Sequence, residues 1–373
     1  MNTNQTNQLT SPMLNQSSIY AGQANPIWSS HIAQHASLSP ADAIKSLECF
    51  VSEIVSGKLH ERSIPELHCE SLYNQRPISF HDHYCLMGAY LNAIGLLPVQ
   101  YQYTNSINLF IECCAQIGWM SGISSVNANQ YGNPSLYRVS ITEINWKDYL
   151  RFVDLLVETG SSERYRYLRA QTKRAIGERF KTCCDYVDAL FGNNDRLIVL
   201  RVDLAYTKAY SSFSSLTGVL NDLDHLTMNM TNNAIFDDMA GYIFKVEYGV
   251  EKGMHIHAIF FFNGSERRGA SHIFHTQQIG EYWKNVITMG KGVYWNCNDQ
   301  IKNFQRLGNC GLGLIHWSDK GLRENLLSIV VHYICKERQS VKSPVDPYRK
   351  MIRKMLFPKK RDVKLGRPRK ISS

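Results

Sequence analysis

Apolar positions change their period along the chain, and the changes divide it. From Ser39 to about Gly160 they recur every three or four residues, as in Ile44, Leu47, Val51, Ile54 and Val55. That spacing predicts helices, and Ser39 followed by Pro40 reads as an N-cap with proline at the first helical position. The run ends in "NWKDYLRFVDLLVETG", and a long helix is expected over "SSERYRYLRAQTKRAIGERFKTCCDYVDALF", closed by "GNND". After it the period drops to two. Strands are expected at "RLIVLRVDLAY" (196–206), "AGYIFKVEYG", "MHIHAIFFF" and "NCGLGLIHW". Helices are expected at "SLTGVLNDLDHLTMNM", "HTQQIGEYWKNVI" and "DKGLRENLLSIVVHYICKERQ", with one more short strand at "KGVYWN". The order β-α-β-β-α-β-α predicts an α+β domain, a mainly antiparallel sheet with helices on one face.

Residues 1–38 are rich in Asn, Gln, Ser and Thr with few aliphatics, a composition that predicts disorder. The expected organisation is therefore a disordered segment over 1–38, a helical accessory region over 39–160, the α+β domain over 161–342 and a basic tail over 343–373.

Composition adds partners and compartment. With 44% hydrophobic residues in 373, the chain can build a real core. No apolar run approaches a membrane span, and the N-terminus lacks the basic start and apolar stretch of a signal peptide, so a soluble cytoplasmic protein is expected. The 10 cysteines include the vicinal pairs Cys113–Cys114 and Cys183–Cys184 but no CxxC, which favours buried thiols over a zinc framework. The net charge of +9 is uneven: residues 336–373 hold 14 Lys/Arg against 3 Asp/Glu, so the other 335 sum to −2. A polyanion is the expected partner, nucleic acid before membrane, because no amphipathic apolar face accompanies the charge. Lys359, Lys360, Arg361, Arg367, Arg369 and Lys370 are the candidate DNA contacts. Gly366-Arg367-Pro368 is a partial minor-groove hook, with Leu365 where a further Arg would stand. Non-specific phosphate attraction is the simpler reading of the tail.

Candidate chemistry sits in "KVEYGVEKGMHIHAIFFF" (245–262). "GVEKG" is a hairpin loop by length and composition. If it is symmetric, Glu247 lies opposite His255 and Lys245 opposite His257, so Glu247, His255 and His257 share one face. Two imidazoles and a carboxylate there form either a satisfied polar network or a facial site for a divalent ion. Met254, Ile256, Ala258, Phe260 and Phe262 occupy the other face and can pack under a helix. Asp203 on the first strand is open, a further ligand or a turn cap. The second His-x-His, His81 and His83, has no carboxylate hairpin facing it and reads as a decoy. In the last helix Leu322, Leu326, Ile329, Val330 and Tyr333 form an apolar stripe, pointing Tyr333 to the sheet with Lys336 beside it at i+3.

The motif order, with "HIH" at 255–257 and "YICK" at 333–336, resembles the HUH endonucleases: rolling-circle initiators, relaxases and some transposases. More narrowly, "GEYWKNVITMGKGVYWNCN" resembles the YagK/YfjJ C-terminal domain family, related to the replication protein of filamentous phages (inoviruses). The resemblance spans roughly residues 190–345 and implies a ferredoxin- or RRM-like core. It also implies nicking of single-stranded or hairpin origin DNA in a phage or prophage. His255, His257 and Glu247 would hold Mg²⁺ or Mn²⁺, Tyr333 would attack phosphorus, and Lys336 would offset the negative charge. The products would be a 5′-phosphotyrosyl protein and a free 3′-hydroxyl for a polymerase. The lone tyrosine on that helix face argues against two-tyrosine strand shuttling. The absence of GxxxxGK[ST] implies reliance on a host helicase. The other readings are a non-cleaving DNA-binding regulator on the same fold and, more distantly, a two-histidine, one-carboxylate iron oxygenase.

Overall fold

The computed structural model describes residues 38–58, 80–99, 103–121, 137–141, 143–211, 215–266, 271–336 and 350–359. The helical region consists of α1 (Pro40–Val55), α2 (Phe80–Ile94), α3 (Asn105–Gln116) and α4 (Trp146–Gly160), plus a small ribbon of β1 (Met120–Ser121) and β2 (Arg138–Val139). Ser39 caps α1 as its sequence indicates, accepting from the Asp42 amide ahead of Pro40. Phe50, Tyr90, Phe110, Tyr149 and Phe152 fill this region's own core. The long helix α5 (Glu163–Asn193) follows.

The second region is a six-stranded antiparallel sheet. In chain order come β3 (Arg196–Tyr206), α6 (Lys208–Ser211), α7 (Leu216–Asn229), β4 (Met239–Gly249), β5 (Gly253–Asn263) and α8 (His272–Tyr282), whose last turn is π-helical over Trp283–Ile287. Then come β6 (Gly292–Asn296), α9 (Ile301–Arg306), β7 (Gly313–His316), α10 (Lys320–Asn325), a π-helical segment over Leu326–Val331, α11 (His332–Cys335) and β8 (Ile352–Lys354). The strands lie in the order β6-β3-β5-β4-β8, and β7 pairs with the first half of β3. The α+β class and the antiparallel sheet are as expected, and "KGVYWN" is a strand.

Helices cover both faces of the sheet, which corrects the one-face expectation. One core packs α7 and α8 on Leu200, Val202, Phe244, Met254, Ile256, Ala258, Phe260 and Phe262. The other packs α5 and the 326–335 segment on Val199, Ile243, Ile259 and Phe261. The physical reason is in β5, where Ile259 and Phe261 follow His255 and His257 on the same face. A strand apolar on both faces must be covered on both. Every residue from Gly253 to Phe262 is buried.

The basic tail is also corrected in part. Residues 352–354, expected to belong to it, form β8 on the open edge of β4, and Arg353 forms an ion pair with Asp224. Two further contacts extend this: Met351 packs on the core, and the Phe357 ring meets Tyr186 edge-on at 5.6 Å. Lys359 is described, with its carbonyl accepting from Asn193. Lys360, Arg361, Arg367, Arg369 and Lys370 lie outside the described residues, as do residues 1–37. Among the described residues no helix is long and apolar enough to cross a membrane.

Candidate metal centre

The hairpin register matches the symmetric-loop expectation. Gly249 pairs with Gly253, Glu247 with His255 and Lys245 with His257. Gly253 sits at φ +65, and an added Cβ would meet the Ser211 carbonyl at 2.9 Å, so the turn requires glycine here. On the other side of β5, Asp203 of β3 pairs with His257. Direct cross-strand neighbours share a face, so Lys245, His257 and Asp203 form one row, with Glu247 and His255 in the next.

The donor atoms converge. Glu247 Oε2 lies 3.1 Å from His257 Nε2 and 3.7 Å from His255 Nε2. One ligand atom from each of these residues lies within 4.8 Å of the others, and all of them are buried. Outer partners set the imidazoles. His255 Nδ1 donates to the Gly253 carbonyl at 3.1 Å, and His257 Nδ1 donates to Asp203 Oδ1 at 2.8 Å. Each acceptor fixes the proton on Nδ1 and turns Nε2 toward Glu247, the arrangement that second-shell groups impose on metal-ligating histidines. The other carboxylate oxygen, Oε1, is held by the Lys245 ammonium. Glu247, His255 and His257 could therefore hold a metal ion, and among the described residues they are the one such group.

Charge is divided unequally between the imidazoles. Burial, aided by the neighbouring His257 charge, lowers the pKa of His255 to about 4, so it is a neutral ligand at ordinary pH. Burial also opposes the His257 imidazolium, but hydrogen bonds to Asp203 and Glu247 outweigh it and raise its pKa. Asp203 is likewise desolvated, yet His257 and Arg201 bring its carboxyl down to about 2.

Tyr333 reaches this group. Its ring meets His257 edge-on at 5.2 Å, and the Arg201 guanidinium carbon lies 4.6 Å from the ring centre. Its phenol is raised, by burial first and by the Glu247 and Asp203 charges, with Arg201 pulling the other way. The apolar stripe does not run as 3.6-residue spacing predicts. The π-helical segment buries Leu326, Val330 and Val331 while Ile329 is 40% exposed, and Tyr333 is 39% exposed at the rim. Tyr333 therefore lies across the group with one side open, not buried on the sheet.

Lys336 closes this helix one turn past Tyr333. It is the C-cap: its φ of −60 is helical and its amide donates to the His332 carbonyl at 3.0 Å, and the chain turns extended only after it (ψ 144). Its carbonyl accepts from Lys245, and its ammonium makes no ion pair or hydrogen bond with the described residues. The cation beside the phenol is Arg201, and the one beside Glu247 is Lys245. Neither was singled out from the sequence. The signal was present for both, because Arg201 alternates with Asp203 along β3 and Lys245 falls opposite His257 in the hairpin register. His83 is buried, with Nδ1 paired to the Tyr90 hydroxyl at 2.7 Å, and His81 lies beside Trp146, so this pair does not converge on a carboxylate.

Comparison of the chain with protein-family models, with curated proteins and with solved structures finds no match.

Proposed function

We propose that the protein is a metal-dependent endonuclease that nicks single-stranded DNA through Tyr333, acting as a replication initiator of a phage or prophage. The observation that carries this reading is the placement of a half-exposed tyrosine against the histidine that closes a two-imidazole, one-carboxylate group. A metal-only function would not need the phenol there, and a core tyrosine would not be left open on one side.

His255, His257 and Glu247 would hold the ion. Imidazoles suit Mn²⁺, while Mg²⁺, which prefers oxygen, is the more available ion in cells. When bound, it supplies Lewis-acid polarisation of a phosphoryl oxygen. The chain's own residues do the rest. Lys245 pins one oxygen of Glu247 so that the other faces the histidines, and Asp203 orients His257. Arg201 favours the ionised phenol of Tyr333 and lies where a phosphate would approach. The Tyr333 oxygen forms a bond to phosphorus as the P–O3′ bond breaks, and the phenolic proton ends on the 3′ oxygen. One phosphodiester replaces another, so the step needs no nucleotide hydrolysis, and the free 3′-hydroxyl can prime a polymerase.

A second reading has one observation in its favour. Lys245, Glu247, His257 and Asp203 already form a closed charge network, as in a DNA-binding regulator that holds these residues for structure alone. A single assay separates the two. Purified protein with Mn²⁺ is incubated with single strands of the surrounding replicon, labelled at either end, and resolved on a denaturing gel. The expected result is a protein band carrying the DNA downstream of the nick, absent without metal and absent in Tyr333→Phe. Tight binding with no adduct would favour the regulator.

A further inference from the structure

The row of residues that carries His257 does not end at Asp203. Asp203 pairs on its far side with Trp295 of β6, so Lys245, His257, Asp203 and Trp295 lie side by side across neighbouring strands on one sheet face. At about 4.8 Å between strands, the Trp295 backbone is about 10 Å from that of His257. Helices α5 and α11 cover this face over β4 and β5, but Tyr333 is at the edge of that cover. Beyond it Trp295 is 62% exposed, and Val293, two residues along on the same face, is 39% exposed. No aromatic ring or cation is packed on the Trp295 indole among the described residues.

The strand beneath this indole is anchored along β3, on its opposite face and at its far end. On the opposite face Tyr294 lies on Gly280, where an added Cβ would meet its ring at 2.2 Å, and its hydroxyl donates to Glu281 at 2.9 Å. Asn296 donates to the Ile273 carbonyl at 3.0 Å, and Asn298 ties this end of the strand to β3 through the Val199 carbonyl and the Arg201 amide. The backbone is thus held in place while its largest apolar side chain is presented to solvent.

We infer that Trp295 is a stacking platform for a base of the single strand whose phosphate lies between Arg201, Tyr333 and His257. The observation beneath this is that an exposed, rigidly mounted indole shares a strand-to-strand row with the candidate metal ligands. The inference rests on the single-strand reading above and deepens it by naming where a base is held. A protein partner fits less well. On β6 the exposed apolar residues are Val293 and Trp295, few for an interface that needs roughly 800 Å² per side, whereas one indole face matches one base. Stacking tolerates any base, so such a platform would position the strand without reading its sequence.

The test uses the full chain in a Tyr333→Phe background, so that binding is read without cleavage, with Mn²⁺ present. Affinity is measured by fluorescence anisotropy for a labelled oligothymidylate and for a strand of abasic deoxyribose phosphates carrying the same charge. Trp295→Ala is expected to weaken oligothymidylate binding about 5- to 150-fold, the range that stacking one base supplies, and to leave abasic binding unchanged. Trp295→Phe should keep most of the affinity. Unchanged oligothymidylate binding in Trp295→Ala, or an equal loss on the abasic strand, overturns the platform and leaves the endonuclease reading intact. If the parent protein binds neither strand, both readings fall.

Discussion

At the residue scale, the decisive pair is Glu247 and His257. A neutral His257 is needed to ligate a metal, and its raised pKa means that a proton competes for Nε2. Mn²⁺ affinity should therefore rise with pH, by up to about tenfold per unit below that raised pKa, then level off. Titration calorimetry across that range checks this, and a flat profile would place the metal elsewhere. Stability of the metal-free protein runs the other way. The raised pKa contributes stability that is fully present below the unfolded value near 6.5 and is lost as pH rises through the folded value. The rise in Tm on adding Mn²⁺ should widen accordingly from acidic to neutral pH. Asp203 acts at one remove, through the orientation of His257. Asp203→Asn should cost about 10- to 100-fold in metal affinity. Lys245→Met leaves the buried Glu247 carboxylate without its ammonium and should destabilise the metal-free fold by about 3–5 kcal/mol in denaturant unfolding. Partial rescue by Mn²⁺ would mark the site as a metal site, and no rescue would mark a structural network.

At the element scale, the β4–β5 hairpin shows how much was legible. Two strands joined symmetrically through "GVEKG", whose end glycines pair around three turn residues, admit one natural register, so the facing of Glu247 and His255 follows from that stretch alone. Helical covering of both faces was also written in the chain, in Ile259 and Phe261, which make the half of the histidine face beyond His257 apolar. The turn of Tyr333 to the rim was not legible. A π-helical segment adds a residue to a turn without any local composition to announce it, so 3.6-residue spacing carried past Leu326 places later side chains on the wrong face. Lys336 keeps its place one turn after Tyr333, since both follow the π-helical segment and its amide still donates to the His332 carbonyl. The hairpin also has a glycine with no substitute. Gly253→Ala should cost about 1–2 kcal/mol for the left-handed backbone alone. It should also weaken metal binding, because the Gly253 carbonyl is the acceptor that sets His255.

At the scale of the whole molecule, the helical region and the tail both reach the sheet. Tyr248 and Val250, at the tip of the hairpin, pack against the core of the helical region, and the Ala41 amide donates to Glu251 at 3.5 Å. The described helices of the 39–160 region, whose composition carried no chemistry, thus brace the tip of the hairpin whose strands carry the candidate ligands. At the other end, two truncations should part company. Removing residues 360–373 should spare the fold and weaken duplex binding more than nicking of a saturating single strand, and equal losses would exclude a duplex-holding tail. Removing residues 350–373 takes β8 and the Arg353–Asp224 pair as well, exposes the edge of β4, and should lower Tm.

The burial of β5 from Gly253 to Phe262 has a consequence for hydrogen exchange. From Ile256 onward the strand has a paired neighbour on both sides and is covered on both faces, so it belongs to the unit that opens last, near the global unfolding free energy. The His257 amide should exchange with that slowest set. Tyr333, at a half-exposed helix end just past a π-helical segment, should exchange orders of magnitude sooner. If Tyr333 is the nucleophile proposed above, it can loosen and return many times while the candidate ligand set stays intact, which is what release of a covalently held strand would require.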